Sequence, residues 1–370
     1  MSRHRATPEL PACYAMVIPG LEPIAAQEIE EDLGGTIKKS DRGLVVFRVP
    51  EINRRLLRLR TVEDVFLLAW GSDQLTYRAQ DLKSIRHWTA QEVDWQELLR
   101  LHHDIRPKPK GKPTYRLVAQ MTGQHVYRRV DARTALAQGL AGKLPASWKH
   151  AEENAAVEIW LTIHGATAVC GLRLSDRTMR HRTYKVEHLP ASLRPTLAAA
   201  LVRLAGAQAG QVVVDPFCGA GTILAEQWDD ARRRGQFPLT LLGGDLEITA
   251  LRAARSNLRQ RVEPLLVRWD ARRLPLASRS VERIISNPPF GKQLSSPEEI
   301  GPLYREAVRE MNRILRPEGK AVLLVGELPP LREAARAVGW KLSRQLRVQV
   351  LGQAAALTVW QKLEKGDRIK

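Results

Sequence analysis

The chain has 370 residues, room for two or three domains. Hydrophobic residues make up 44%, enough for ordinary cores, which excludes disorder as the main state. Lys and Arg number 58 against 40 Asp and Glu, a net charge of +18 that points to a polyanionic partner. No apolar run reaches the ~18 to 20 residues of a membrane span, and the start MSRHRATPEL lacks a signal-peptide stretch. Cys13, Cys170 and Cys218 are too scattered for a disulfide framework or a structural zinc site, so a soluble, cytoplasmic protein is expected.

The positive charge is no tail, because both halves carry an excess of basic residues. It clusters in two runs. Arg106, Lys108, Lys110, Lys112, Arg116, Arg128, Arg129 and Arg133 stand against the single acid Asp131, and a second run extends from Arg252 to Arg279. Solvated faces are the plain reading of such runs; the global excess favours nucleic acid.

In chain order, Tyr14–Ile18 reads as a strand, closed by Pro19-Gly20 and followed by a helix to about Leu33. Residues 36–39 and 44–49 form a hairpin around Asp41-Arg42-Gly43, and Glu51–Leu59 returns to helix. A strand near Trp70, a helix over Thr89–Leu101 and the breaker Pro107–Pro113 follow. Next come a strand at Tyr115–Gln120, a helix over Arg133–Leu144 and strands at Val157–Ile163 and Val169–Leu174. Arg173–Leu189 is a polar connector. After Pro195 a regular β-α alternation argues for a doubly wound parallel sheet.

Val212–Val214 is a buried strand running into the turn Asp215-Pro-Phe-Cys-Gly-Ala-Gly-Thr222 and then a helix over Ile223–Arg234. The turn lets a ligand approach backbone beside a helix N-terminus. It is not the dinucleotide fingerprint, since Leu224 stands where a third glycine belongs. The next strands end in Asp245, placed to accept from a ribose, and in Asp270. Three successive strands ending in acids suit a nucleoside cofactor with a cationic amino group and an exocyclic amine; a ligand-free turn is the plainer alternative.

A fourth strand, Arg283–Ser286, runs into Asn287-Pro-Pro-Phe290. The Asn287 side-chain oxygen and the Pro288 carbonyl are two acceptors stiffened by prolines. They suit an exocyclic amine whose lone pair is delocalised, stabilising the charge that grows on nitrogen. Phe290 can stack on a target base. Alone, Asn-Pro-Pro is only a turn; its place after the fourth strand favours the chemical reading. Cys218 reads as a small loop filler rather than a nucleophile, and Trp88, Trp95, Trp148 and Trp160 read as core. His102, His103, His181 and His188 show no metal-ligand spacing, so no metal is expected.

These two motifs resemble the first and fourth motifs of class I S-adenosylmethionine-dependent amino-methyltransferases. Arg316–Lys320 before a strand at Ala321–Gly326 resembles their fifth-strand entry, and Leu342–Val350 with Ala355–Leu363 their closing antiparallel pair. The stretch His188-Leu-Pro-Ala-Ser-Leu-Arg-Pro-Thr resembles the connector of THUMP-containing RNA methyltransferases. The three-part order is similar to TrmN-type tRNA (guanine-N2)-methyltransferases, which modify the sixth nucleotide of the acceptor stem. The resemblance implies a ferredoxin-like domain (1–70), a THUMP domain (71–178), a linker (179–195) and a Rossmann-like, seven-stranded methyltransferase domain (196–370). It implies S-adenosylmethionine held by Pro195, Thr196, Asp215, Phe217, Gly219, Gly221, Thr222, Asp245, Leu246, Asp270, Ala271 and Asn287. Asn287, Pro288 and Phe290 would hold the target guanine. Arg106, Lys108, Lys110, Lys112, Arg128, Arg129, Arg133 and Arg182 would bind tRNA at its acceptor stem and 3′ CCA end, the protein acting as a monomer. Adenine-N6 methylation of RNA, guanine-N2 methylation elsewhere in tRNA or rRNA, and a non-catalytic THUMP RNA-binding role are the alternatives.

Overall fold

The computed structural model describes residues 10–107, 111, 113–190, 192–261, 265–289, 299–350 and 352–363. The chain divides into two units, residues 1–17 with 26–179 and residues 18–25 with 180–370. β1 (Cys13–Met16), β2 (Thr36–Asp41) and β3 (Leu44–Arg48) of the first unit, and α1 (Glu22–Leu33), whose residues 22–25 are counted with the second, fall where the apolar periodicity puts them. The helix expected over Glu51–Leu59 is only a 3-10 turn, Arg54–Arg58. The Asn53 side chain accepts from the Arg55 N–H at 2.8 Å, and the buried Glu28 carboxylate takes the N–H groups of Arg60 and Thr61. The Asn53 bond caps the start of this turn, and the Glu28 bonds hold the chain out of a helical course beyond it.

β4 (Asp64–Ser72) spans the expected 70/71 border and pairs with β1. The single helix expected over Thr89–Leu101 is two, α2 (Gln80–Gln91) and α3 (Trp95–Ile105). Asp94 is the reason: its carboxylate accepts from the Glu97 N–H at 3.0 Å as a new N-cap, while the Trp95 indole donates back to the Thr89 carbonyl at 2.8 Å. After β5 (Thr114–Thr122), α4 (Arg129–Gly139) starts before the expected Arg133, because Asp131 accepts from the Arg128 N–H. It ends at Gly139 rather than Leu144; a Cβ on Gly139 would sit 2.6 Å from the Thr89 Cβ. A two-residue strand, β6 (Lys149–His150), precedes β7 (Val157–His164) and β8 (Thr167–Arg173).

These strands form one sheet in the order β2-β3-β1-β4-β8-β7-β5-β6, with β5 parallel to β6 and β7 and the remaining pairs antiparallel. Tyr14 stacks on Phe66 with ring centroids 4.5 Å apart. Arg173 ties three strands together by pairing with Asp64 (2.6 Å) and Glu158 (2.9 Å).

A single turn, α5 (Thr178–His181), follows β8 in the chain. The second unit runs α6 (Pro195–Ala205), β9 (Val212–Asp215), α7 (Thr222–Arg234), β10 (Thr240–Asp245), α8 (Ile248–Leu258), β11 (Leu265–Arg268) and β12 (Val281–Ser286). It continues with α9 (Ile300–Ile314), β13 (Leu315–Val325), α10 (Leu328–Ala337), β14 (Trp340–Val350) and β15 (Gln353–Lys362). The strand order is β11-β10-β9-β12-β13-β15-β14, parallel except for β15 against β13 and β14. This is the doubly wound seven-stranded sheet with a closing antiparallel pair. β13 begins earlier than the expected Ala321, and its pairing with β12 jumps from Leu315 to Lys320, so Arg316-Pro-Glu-Gly319 bulges from the ladder.

Gly171 in β8 leaves no room for a side chain: a Cβ would lie 2.2 Å from the Leu67 carbonyl oxygen and 2.6 Å from the Tyr14 ring. Gly171→Ala is therefore expected to destabilise the first unit by about 1–3 kcal/mol, read as a lower urea midpoint for that unit's unfolding.

Candidate active site

β9 and β12 are parallel neighbours with Ile284 opposite Val214, so their C-terminal ends deliver Asp215 and Ser286-Asn287 side by side. The Ser286 hydroxyl donates to Asp215 Oδ1 at 2.6 Å and the Phe217 N–H to the same atom at 3.2 Å. Asp215 Oδ2 has no hydrogen-bond partner among the described residues, nor has Asn287 Oδ1, and both atoms are buried. Burial pushes the Asp215 carboxyl up to about 7, against the two donated bonds and with a smaller push from Asp245.

The loop between β9 and α7 uses its glycines differently. Both Gly219 (φ +51°) and Gly221 (φ +73°) are left-handed. A Cβ on Gly221 would approach Leu258 to 3.0 Å and Ala254 to 3.1 Å, so this glycine lets α8 pack on the loop. A Cβ on Gly219 would meet nothing within 4 Å; there the backbone borders open space. Asp245 pins this loop, its Oδ2 accepting from the Gly219 N–H at 2.9 Å and its Oδ1 from the Glu247 N–H at 3.0 Å. Behind it, the Trp269 indole donates to the Pro216 carbonyl at 3.0 Å and fills the space over Gly244, where a Cβ would come within 2.1 Å of the ring. Asp270 is gripped by Arg272 through Nε (3.0 Å) and Nη2 (2.7 Å), which holds its carboxyl below the usual carboxylate range.

These ends enclose a cavity of about 630 Å³. Of the residues expected from the sequence, Asp215, Phe217, Gly219, Thr222, Asp245, Leu246, Asp270, Ala271 and Asn287 line it. Pro195 opens α6 and Thr196 is buried behind it; neither they nor Gly221 and Pro288 are among the lining residues. Phe290, Lys108, Lys110 and Lys112 lie outside the described residues.

The other RNA-binding expectations divide. Arg128 and Arg129 are exposed, and Arg133 is half-buried 3.7 Å from Glu152. Arg106 pairs with Asp176 at 2.9 Å. Arg182 requires correction: it is buried, with its Nε on Glu226 Oε1 at 3.1 Å, and so does not face solvent where a phosphate could reach it. The Cys218 thiol is pushed well up by burial and then by the Asp215 and Asp245 carboxylates, which leaves it protonated and no nucleophile. Among the described residues no cluster of His, Cys, Asp or Glu could hold a metal, and no helix is long and apolar enough to cross a membrane.

Sequence reasoning missed the wall supplied by the connector, where Leu189, Pro190, Ser192 and Leu193 line the cavity. It also missed the two residues that fix the surroundings. Buried Asn257 on α8 donates to the carbonyls of Ala220 (2.9 Å) and Glu187 (3.1 Å) and accepts from the Glu187 N–H (2.9 Å), joining glycine loop and connector. Buried Tyr304 on α9 donates to the Pro289 carbonyl at 3.2 Å and steadies the Asn-Pro-Pro loop. The one sequence signal was an asparagine on the apolar face of α8, between Ala254 and Leu258.

Two outcomes follow from this geometry. A carboxyl whose folded pKa is raised binds an extra proton in the native state between about pH 4 and its folded value near 7. The Asp215 share of stability is thus fully present below pH 4, declines up to about 7 and is absent above. Asp215→Asn should remove that decline and raise the ligand-free protein's melting temperature at pH 8 relative to wild type, while at pH 4 the two coincide. Asn257→Ala leaves the buried Ala220 carbonyl unpaired at a cost of about 1–3 kcal/mol, and should weaken binding of the cofactor expected from the sequence, S-adenosylmethionine, by roughly tenfold in calorimetry.

The family model described as RMKL-like, methyltransferase domain, matches residues 182–355. The tRNA (guanine(6)-N2)-methyltransferase of Thermus thermophilus is 30% identical over 93% of this chain and 98% of its own length. The bovine tRNA (guanine(6)-N(2))-methyltransferase THUMP3 is 30% identical over 57% of this chain, which matches only 44% of that longer protein. Among solved structures, TrmN from Thermus thermophilus superposes with a TM-score of 0.77 at 26% identity, over 95% of this chain and 99% of that one. SMU.472, complexed with SAH, shares the fold at 16% identity with a TM-score of 0.70, over 98% and 100% of the two chains. With a cavity at the strand ends of a class I methyltransferase sheet and a full-length relative at this identity, the chain belongs to the TrmN-type family of tRNA (guanine-N2)-methyltransferases.

Proposed function

We propose that this protein transfers a methyl group from S-adenosylmethionine to the exocyclic N2 of a guanosine in tRNA, at the sixth nucleotide of the acceptor stem. The observation that carries the reading is the unpartnered, buried Asn287 Oδ1 at the cavity that Asp215 and Asp245 also line. The relatives named as acting on guanine 6 of tRNA support the position.

The cofactor fits the residues present. Asp215 Oδ2 is a buried acceptor without a partner among the described residues, suited to a cationic amino group. Gly219 offers backbone beside open space for the methionine moiety, and Asp245 retains lone pairs for ribose hydroxyls. Asp270, which also lines the cavity, is the acceptor for the adenine amine. When bound, the cofactor supplies a methyl already activated on a sulfonium.

The chain's own residues then need only bind, orient and stabilise. Asn287 Oδ1 and the Pro288 carbonyl accept the two N–H groups of the guanine amine, favouring pyramidal nitrogen and the positive charge that develops on it. Tyr304 holds this loop through the Pro289 carbonyl, and the Ser286–Asp215 bond fixes it against the glycine loop, so the acceptors are set before the base arrives. The connector supplies one apolar side of the cavity through Leu189 and Pro190. In the first unit, residues 71–178 act as a THUMP domain that grips the 3′ CCA end, with Arg128, Arg129 and Arg133 as its phosphate contacts.

Asn287→Ala should lower kcat by about 10²–10³-fold, the cost of losing one preorganised electrostatic partner, while tRNA binding is retained. Mapping nucleosides of the methylated tRNA should give N2-methylguanosine at the sixth position. N6-methyladenosine, or the mark at another guanosine, would refute the assignment.

A further inference from the structure

We infer that the outer face of α8 is an RNA-backbone surface on which Arg252, Arg255 and Arg259 take up phosphates of the strand that delivers the target base. The inference rests on the reading of the protein as a tRNA methyltransferase and extends it to the second unit, where the first unit's basic run plays no part.

At about 100° per residue these three arginines fall within roughly 60° of one another, one stripe along the helix. All three are exposed, and none makes an ion pair among the described residues. Several other arginines of this unit are matched by acids: Arg234 with Asp230, Arg261 with Asp229, Arg272 with Asp270, Arg313 with Glu310 and Arg316 with Glu282. α8 carries no acid at all. Like charges three or four residues apart repel, so the stripe costs helix stability by a few tenths of a kcal/mol per pair. The helix dipole offsets that for Arg255 and Arg259 near the C-terminus, but it gives nothing to Arg252 in the N-terminal half. A row of unmatched planar guanidinium groups is the surface that phosphate fits.

The stripe starts at the cavity. Leu246 and Glu247 line it, and α8 begins at the next residue, Ile248. At 1.5 Å of rise per residue, Arg252, Arg255 and Arg259 stand about 6, 10 and 16 Å along the axis from that start. Leu246 and Ile248 are 53% and 45% exposed, an apolar shoulder between cavity and cations. Arg268 adds a fourth positive charge there, its Nε donating to the Leu246 carbonyl at 3.0 Å. A strand whose base enters the cavity can lay its backbone along this row.

The test compares R252Q/R255Q/R259Q with R232Q/R336Q/K341Q, which removes the same charge from exposed positions elsewhere in the second unit. The stripe variant should bind tRNA roughly 10- to 100-fold more weakly near 0.1 M salt, with the slope of log affinity against log salt reduced by about two to three. S-adenosylmethionine affinity, melting temperature and kcat at saturating tRNA should stay at wild-type values, and the control variant should shift tRNA affinity less than about threefold. Unchanged affinity and slope in the stripe variant would overturn the proposal. Equal losses in both variants would assign the effect to net charge, and loss of cofactor binding would assign it to structure; either overturns it too. Undiminished tRNA affinity with lost capture of an acidic protein would mark a protein surface instead. A wild type that binds tRNA but leaves guanine N2 unmethylated would sink the proposed reaction and spare the stripe.

Discussion

Asp215 is a carboxylate held at the end of the buried strand β9 with two donors on one oxygen and none, among the described residues, on the other. Much of the site follows from the cost of that arrangement. An ionised carboxylate out of water is stable only when donors or cations surround it, and Ser286 with Phe217 supply only part of what it needs. The remainder must come from the ligand. A cationic group reaching Oδ2 favours the ionised form, so proton release and ligand uptake are linked, each strengthening the other. The same Ser286 bond draws the start of the Asn-Pro-Pro loop against the glycine loop, which gives donor and acceptor sites one shared wall.

How much of this was legible depended on whether the cause was local. β9, β10, β11 and β12 announce themselves as short apolar runs, and the polar residue that follows each run, Asp215, Asp245, Asp270 or Asn287, falls at the C-terminal edge of the parallel sheet. Asp215, Asp245, Asp270 and Asn287 could be read for that reason. What the sequence hid was set by tertiary bonds. The split of α2 from α3 is the exception: Asp94 with Glu97 three residues on is a local helix-start signal, masked by the helical spacing that continues on either side of it. The wall at Leu189–Leu193 comes from a polar connector that looks like a linker until Lys185 donates to the Leu193 carbonyl and Asn257 holds Glu187. Arg182 misled because a basic residue in a basic connector looks exposed; its partner Glu226 lies far along the chain, on α7.

The excess of positive charge can be sorted by whether it is already spent. Arg173 neutralises Asp64 and Glu158 inside the first sheet, and Arg182 is spent on Glu226; these are structural charges with no free energy left for a polyanion. Arg128, almost fully exposed and 3.6 Å from Asp131, is barely engaged. Counting basic residues treats these groups alike, whereas counterion release draws only on the second kind. The count of 58 basic residues therefore overstates the charge free for RNA, and the part that remains lies where arginines stand in rows without acids.

Asn257 illustrates why a site of this type needs a particular side chain far from the chemistry. It stands where α8, the glycine loop and the connector meet, and three backbone groups there have to be paired: two carbonyls, from Ala220 and Glu187, and the Glu187 N–H. An aspartate can accept but not donate, a lysine can donate but not accept, and a leucine of similar size can do neither, leaving the buried Ala220 carbonyl orphaned at about 1–3 kcal/mol and the part-buried Glu187 groups to find water. Only an amide offers two donors and an acceptor in one plane at this length; glutamine has the groups but carries an extra methylene into a packed interior. Because Ala220 lines the cavity and Glu187 leads into the connector that supplies Leu189 and Pro190 to it, an asparagine that looks like a polar intrusion on an apolar helix face ties the two segments together.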